Sequence, residues 1–217
     1  MQNIPNYYLQ IKLFHGTNEV AARKIITTKG FNIGTKRKDH WLGQGVYFYR
    51  EDYKQALFWA HYKIKGNPKL RGQAANVIEV DLMTNTSEFL NLDTRDGLDI
   101  LDKHLVEFSQ FTQVEKMEIE TDDPIMLRCL LCDMLPDTIK VIQRTFPVES
   151  KYFDKTKFKQ IEMSLNGVQV CIRDPKVINQ KALRIVSIGN PSLRKTNTQH
   201  RPRLIEFKNI VKKDMKE

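Results

Sequence analysis

A chain of 217 residues can bury a hydrophobic core without disulfides or metals to hold it and fits within one domain. Its 41% hydrophobic and 28% charged residues are the balance of a globular protein, and no run nears the ~20 apolar residues of a membrane-spanning helix. The net charge of +9 points toward polyanionic partners, and three Cys, an odd count, exclude a framework of paired bridges.

The first residues, Met1-Gln2-Asn3-Ile4-Pro5-Asn6, have neither a basic nor an apolar signal region, so a cytoplasmic protein without a membrane partner is expected. Tyr8 to Phe14 alternates as a strand and delivers His15 to a turn. Asn18 suits the N-cap of a helix over about 19 to 28, and Gly30 suits its stop. Residues 32 to 44 read as a loop before the short strand Val46-Tyr47-Phe48-Tyr49. Glu51 to Lys65 places Ala56, Leu57, Trp59, Ala60 and Ile64 mainly on one side of an amphipathic helix that Gly66-Asn67-Pro68 ends. Asn76 to Leu82 is a second clean strand.

The segment from about 84 to 165 reads as a mostly helical insertion, either extra core, a cover for a cleft or a docking surface. Asp93 or Thr94 can cap a helix carrying Leu98, Ile100, Leu101, Leu105 and Phe108. Cys129 and Cys132 form a C-x-x-C, the spacing of half a zinc site or a redox pair, inside a run patterned as a buried helix. No second Cys/His pair at ligand spacing follows, so core packing is the reading and no metal is expected. Helices are placed around Ile139 to Arg144 and Phe153 to Phe158. Asn166-Gly167 signals a turn into the strand Val168 to Ile172, which Asp174-Pro175 closes, and Leu183 to Ile188 is the last strand. Residues 1–190 are taken as one domain and 191–217 as a basic C-terminal segment. That segment and the Lys36-Arg37-Lys38 cluster would attract nucleic acid through counterion release, unless the tail is only a solvated extension.

Three polar stations stand at or near the ends of strand-like runs: Phe14-His15-Gly16-Thr17, Gly43-Gln44-Gly45-Val46-Tyr47-Phe48, and Gly167-Val168-Gln169-Val170-Cys171-Ile172. Their order and spacing, with the helix between the first two, resemble the diphtheria-toxin-like, poly(ADP-ribose)-polymerase-like branch of ADP-ribosyltransferases. The Gln55-Ala56 and Trp59-Ala60 pairs resemble small bacterial relatives of that branch. The resemblance implies an α+β fold with split mixed or antiparallel β-sheets around an NAD cleft, the helical insertion included. It implies NAD as substrate, with His15 on the adenosine ribose, the Gly16 backbone on the nicotinamide carboxamide and Tyr47 stacked on the nicotinamide ring. Thr17, Gly45 and Phe48 belong to the same implied NAD-binding set.

The third station departs from the family pattern, in which a Glu begins the strand Glu-Tyr-x-Val-Tyr-(Asn/Asp)-Pro. Here Gln169 fills the Glu slot of Gln169-Val170-Cys171-Ile172-Arg173-Asp174-Pro175. A carboxamide accepts a ribose hydrogen bond but offers neither negative charge nor a base. Gln160-Ile161-Glu162 resembles the Gln-x-Glu of other toxin-like transferases and is the rival position. Gln169, His15 and Tyr47 are therefore the expected catalytic residues of a mono-ADP-ribosyltransferase of the toxin class. Its acceptor would be RNA, DNA or protein, nucleic acid slightly favoured, and an antitoxin a possible partner. The alternatives are an inactive NAD or ADP-ribose binding module and a plain nucleic-acid-binding domain.

Overall fold

A computed structural model describes residues 7–35, 40–114, 123–147 and 166–186. Contacts group Met1–Ser187 into one unit and Ile188–Glu217 into another, and the second lies outside the described residues. So do Lys36-Arg37-Lys38, the helix expected at Phe153 to Phe158 and the rival Gln160-Ile161-Glu162.

The described elements are β1 (Tyr8–Asn18), α1 (Glu19–Thr28), β2 (Val46–Arg50), α2 (Tyr53–Gly66), β3 (Ala75–Asn85), β4 (Phe89–Asn91), α3 (Arg95–Val114), α4 (Pro124–Met134), β5 (Val141–Pro147), β6 (Asn166–Ile172) and β7 (Arg184–Val186). The strands form one seven-stranded mixed sheet in the order β4-β5-β6-β2-β1-β3-β7, parallel only between β4 and β5. The chain is therefore α+β, with one sheet where split sheets were expected, its two parts joined at only two residue pairs between β1 and β2.

Side-chain alternation sorts the strands into two faces. Ile11 and Leu13 of β1, Val46 and Phe48 of β2, Ile78, Val80 and Leu82 of β3, and Val170 and Ile172 of β6 join Ala22 of α1 in one core. The opposite face carries two smaller cores. Phe14, Ala56 and Val77 pack under α2, while Leu90, Leu92, Cys132, Leu135, Ile142, Phe146 and Cys171 pack with α4.

Several ends follow from local chemistry. Asn18 Oδ1 accepts from the Ala21 amide at 2.9 Å, the N-cap bond expected for α1. The left-handed residue that stops α1 is Lys29 at φ 53°, not Gly30, whose amide instead reaches back to the Ile25 carbonyl at 3.2 Å. Asp52 caps α2 and Thr94 Oγ1 accepts from the Gly97 amide at the start of α3.

The segment expected to be a mostly helical insertion contributes β4 and β5 as well as α3 and α4. The helix placed at Ile139 to Arg144 is strand β5, because that stretch lies between β4 and β6 with both faces covered. Val141 and Ile142 are each fully buried on opposite faces, so the alternation that marks a half-exposed strand is absent. Cys129 and Cys132 are buried free thiols of α4, in keeping with core packing. Among the described residues no helix is long and apolar enough to cross a membrane.

Candidate functional site

The sheet opens at one seam. β1 pairs with β3 from Tyr8↔Asn85 to Asn18↔Ala75, but with β2 only at Leu13↔Arg50 and Phe14↔Tyr49. Beyond Phe14 the two strands diverge, and the His15 ring bridges the gap: its Nδ1 lies 2.8 Å from the Tyr47 carbonyl oxygen. A carbonyl only accepts, so Nδ1 carries the proton in this bond. Edge contacts with Phe31 at 5.3 Å and tilted contact with Phe48 at 5.5 Å hold the imidazole in that plane.

Two adjoining cavities fill the opening. The larger, about 340 Å³, is lined by His15, Gly16, His40, Trp41, Tyr47, Tyr49, Trp59, Tyr62, Lys63 and Gln169. The smaller, about 290 Å³, shares His15, His40, Tyr47 and Lys63 and adds Asn32, Gly34, Thr35, Gly45 and Val46 to its wall. Volumes of this size suit small ligands, and two lobes joined at a common wall suit a ligand made of two halves. Among the described residues the lining of the two lobes carries His15, His40 and Lys63 and no carboxylate. That balance favours an anionic ligand.

Tyr47 is fixed at both ends. Its hydroxyl donates to the Gly43 carbonyl at 2.6 Å and accepts from the Leu42 amide at 2.8 Å, closing the loop 41–45 onto the strand that follows it. Burial, with the Cys171 thiol beside it, pushes the phenol far above its ordinary pKa, so it stays protonated. One face of the ring is met by His40 at 5.1 Å and 34°. The loop is anchored from outside by Asp133, whose carboxylate accepts from the Gln44 amide at 2.5 Å, and by Arg128, whose Nε donates to the Trp41 carbonyl at 2.9 Å.

Gln169 sits opposite Tyr49 on β2 and opposite Arg144 on β5. The strand period places Gln169, Tyr49 and Phe14 in one cross-strand row facing α2. Burial also raises the Tyr49 phenol, partly offset by its hydrogen bond to Gln55.

The structure thus brings His15, Gly16, Tyr47 and Gln169 to one cavity. Gly45 joins them at the smaller lobe. Two of the expected NAD-binding residues are placed elsewhere. Phe48 is 1% exposed and packed in the α1-side core, because it alternates with Tyr47 and Tyr49 and so points through the sheet. Thr17 lines neither lobe; it pairs with Asn76 near the end of β1, two residues beyond His15.

The glycines are also explained by packing before any ligand. A Cβ on Gly16 would lie 1.8 Å from the Ala56 carbonyl oxygen, so this glycine lets α2 cross β1 in backbone contact. A Cβ on Gly45 would meet Cys171 Sγ at 2.5 Å and the Ile172 carbonyl oxygen at 2.6 Å. Sequence reasoning missed Tyr49, His40, Trp41, Tyr62 and Lys63. Alternation from Tyr47 would have found Tyr49, and the i, i+4 step from Trp59 would have found Lys63. His40 and Trp41 come from irregular backbone and carry no periodic signal.

No family model matches the chain, and no solved structure matches it. An uncharacterized protein of Methanocaldococcus jannaschii is 24% identical over 189 residues, which span 80% of this chain and 86% of that protein.

Proposed function

We propose that the cleft between β1 and β2 takes NAD and that the chain is a mono-ADP-ribosyltransferase of the toxin class, with nucleic acid favoured as acceptor. The observation that carries the reading is that His15, Tyr47 and Gln169, from three distant segments, line one cavity. The two lobes would divide the dinucleotide between them, with the diphosphate near Lys63, which lines both walls. His15 Nε2 would accept from a ribose hydroxyl, and the Tyr47 ring would meet the nicotinamide on the face away from His40.

In this reaction the bond from nicotinamide nitrogen to ribose breaks, its electron pair leaves with the neutral base, and the ribose carbon passes through an oxocarbenium-like state. An acceptor nucleophile then bonds to that carbon and loses a proton. Gln169 Oε1 would accept from a hydroxyl of the reacting ribose and hold it in place. It brings no charge to oppose the cation and no base for the acceptor. The cleft therefore favours a single transfer to a group that is nucleophilic without help, such as a nucleobase nitrogen. A neutralising antitoxin would be the expected cellular partner.

Gln169, a carboxamide where the related pattern has a carboxylate, also favours a second reading, a module that binds NAD or ADP-ribose without turning it over. Incubation with labelled NAD and parallel samples of RNA, single-stranded DNA and cell protein separates the two. Label on an acceptor, with nicotinamide released in equal amount, supports the transferase. NAD binding without nicotinamide release supports the module.

A further inference from the structure

Helix α2 has two unlike faces. Ala56 and Ala60 are fully buried against the sheet, and Trp59 and Lys63 line the cleft. Lys54, Phe58, His61, Tyr62 and Lys65 are exposed. Phe58 is 58% and Tyr62 61% exposed, so two large rings stand in water one helical turn apart. They are already stacked, with centroids 6.5 Å apart and planes at 21°. Tyr62 meets Trp59 edge-on at 5.3 Å and 78°, and both of these rings reach the larger lobe. A ladder of three rings therefore runs from the outer surface to the mouth of the cleft.

The charge along this stretch has one sign. Between Asp52 and Glu79 the sequence holds Lys54, Lys63, Lys65, Lys69 and Arg71 and no acidic residue. Lys54 precedes Phe58 by one turn and Lys65 follows Tyr62 by one turn, so the exposed stripe reads cation, ring, ring, cation. Unpaired bases stack on such rings while the phosphates between them meet the ammonium groups. A duplex hides the base faces, and an acidic peptide offers few flat groups to a stacked pair.

We propose that the stripe Lys54, Phe58, Tyr62 and Lys65 docks single-stranded nucleic acid beside the cleft and leads an unpaired base to its mouth. Delivery of that base rests on the reading of the cleft as a site of ADP-ribose transfer; the docking itself does not.

Fluorescence anisotropy of the full chain with a short labelled RNA strand, its DNA equivalent and the RNA duplex, all without NAD, tests the docking. Either strand is expected to bind at least tenfold more tightly than the duplex. Phe58→Ala is expected to weaken strand binding about tenfold. Replacing both Lys54 and Lys65 by Ala is expected to lower the slope of log affinity against log salt by about 1.4. Strand affinity unchanged in both variants, or a duplex bound as tightly as the strand, overturns the proposal. Calorimetry with NAD keeps the two readings apart. If NAD does not bind yet Phe58→Ala still loses the strand, the docking surface stands and the cleft reading falls. If NAD binds and neither variant alters strand affinity, the reverse holds.

Discussion

The His15 imidazole spans the point where β1 leaves β2, with Nδ1 2.8 Å from the Tyr47 carbonyl oxygen. One ring thus satisfies a carbonyl that the interrupted ladder leaves without a backbone partner on that side, and the same residue lines both lobes of the cavity. The two roles can be separated. Asn at position 15 keeps a donor near the Nδ1 position and removes the acceptor. His15→Asn should retain about 1 kcal/mol of stability over His15→Ala, the usual worth of one hydrogen bond, while both lose NAD affinity. Urea unfolding and NAD titration of the two variants check this.

The contact of Gly16 with Ala56 predicts a large effect from the smallest substitution. A Cβ would sit 1.8 Å from the Ala56 carbonyl oxygen, which belongs to helix backbone and cannot rotate away. Gly16→Ala should therefore cost about 3 kcal/mol, at the upper end of overpacking effects, and lower Tm by several degrees. An unchanged Tm would mean that α2 shifts freely, contrary to its close seat on β1.

Glu79 supplies the pH dependence. Its side chain is buried, and Arg184, then Lys12 at 3.1 Å, hold its carboxyl below the usual carboxylate range against the opposing effect of burial. A depressed folded pKa contributes stability that is present above the unfolded value near 4.5 and is lost as pH falls through the folded value. Both cations are half-exposed or more, so they can be resolvated, and the contribution is on the order of 1 kcal/mol. Glu79→Gln should lower stability at pH 7 by about that amount and match the parent near pH 3. Chemical denaturation across that range measures it.

The thiols of Cys132 and Cys171 should be inert in the folded protein. Burial pushes Cys132 up to about 12 and raises Cys171 as well, so little thiolate forms at pH 8. Mass spectrometry after iodoacetamide treatment should find these two cysteines unmodified until denaturant is added. Rapid native alkylation of Cys132 would favour a redox role for the C-x-x-C over packing.

Gln169 carries the prediction on chemistry. Removing one partner of a transition state typically lowers the rate about 10²-fold, so Gln169→Ala should slow nicotinamide release by that much, and Gln169→Glu should raise it by adding charge opposite the cation. The measurement is release of nicotinamide from NAD. Unchanged turnover in Gln169→Ala would move the assignment to Glu162 or another group.

Much of the site was legible in the sequence because its stations lie on strands. Tyr8 to Phe14, Val46 to Tyr49 and Val168 to Ile172 all lie in strands as read, and the family resemblance pointed to His15, Tyr47 and Gln169 on or beside them; His15, expected in a turn, instead lies inside β1, which continues to Asn18. The same period assigned to Phe48 would have shown that it faces away from Tyr47. Strand β5 was not legible, because a strand covered on both faces has apolar neighbours on each side and no period of two. The cleft wall from His40 and Trp41 was equally silent. Its position depends on Arg128 and Asp133 of α4, far away in the chain, holding an irregular loop. Gly16 and Gly45, implied NAD-binding residues in the sequence, are already demanded by their tertiary contacts with α2 and β6.

The most direct test of the cleft is titration of NAD into the parent chain, His15→Asn and Gln169→Ala by isothermal calorimetry. Saturable heat for one NAD per chain, with affinity reduced in both variants, is the expected result. No heat with NAD, or the same affinity in all three proteins, would contradict the account.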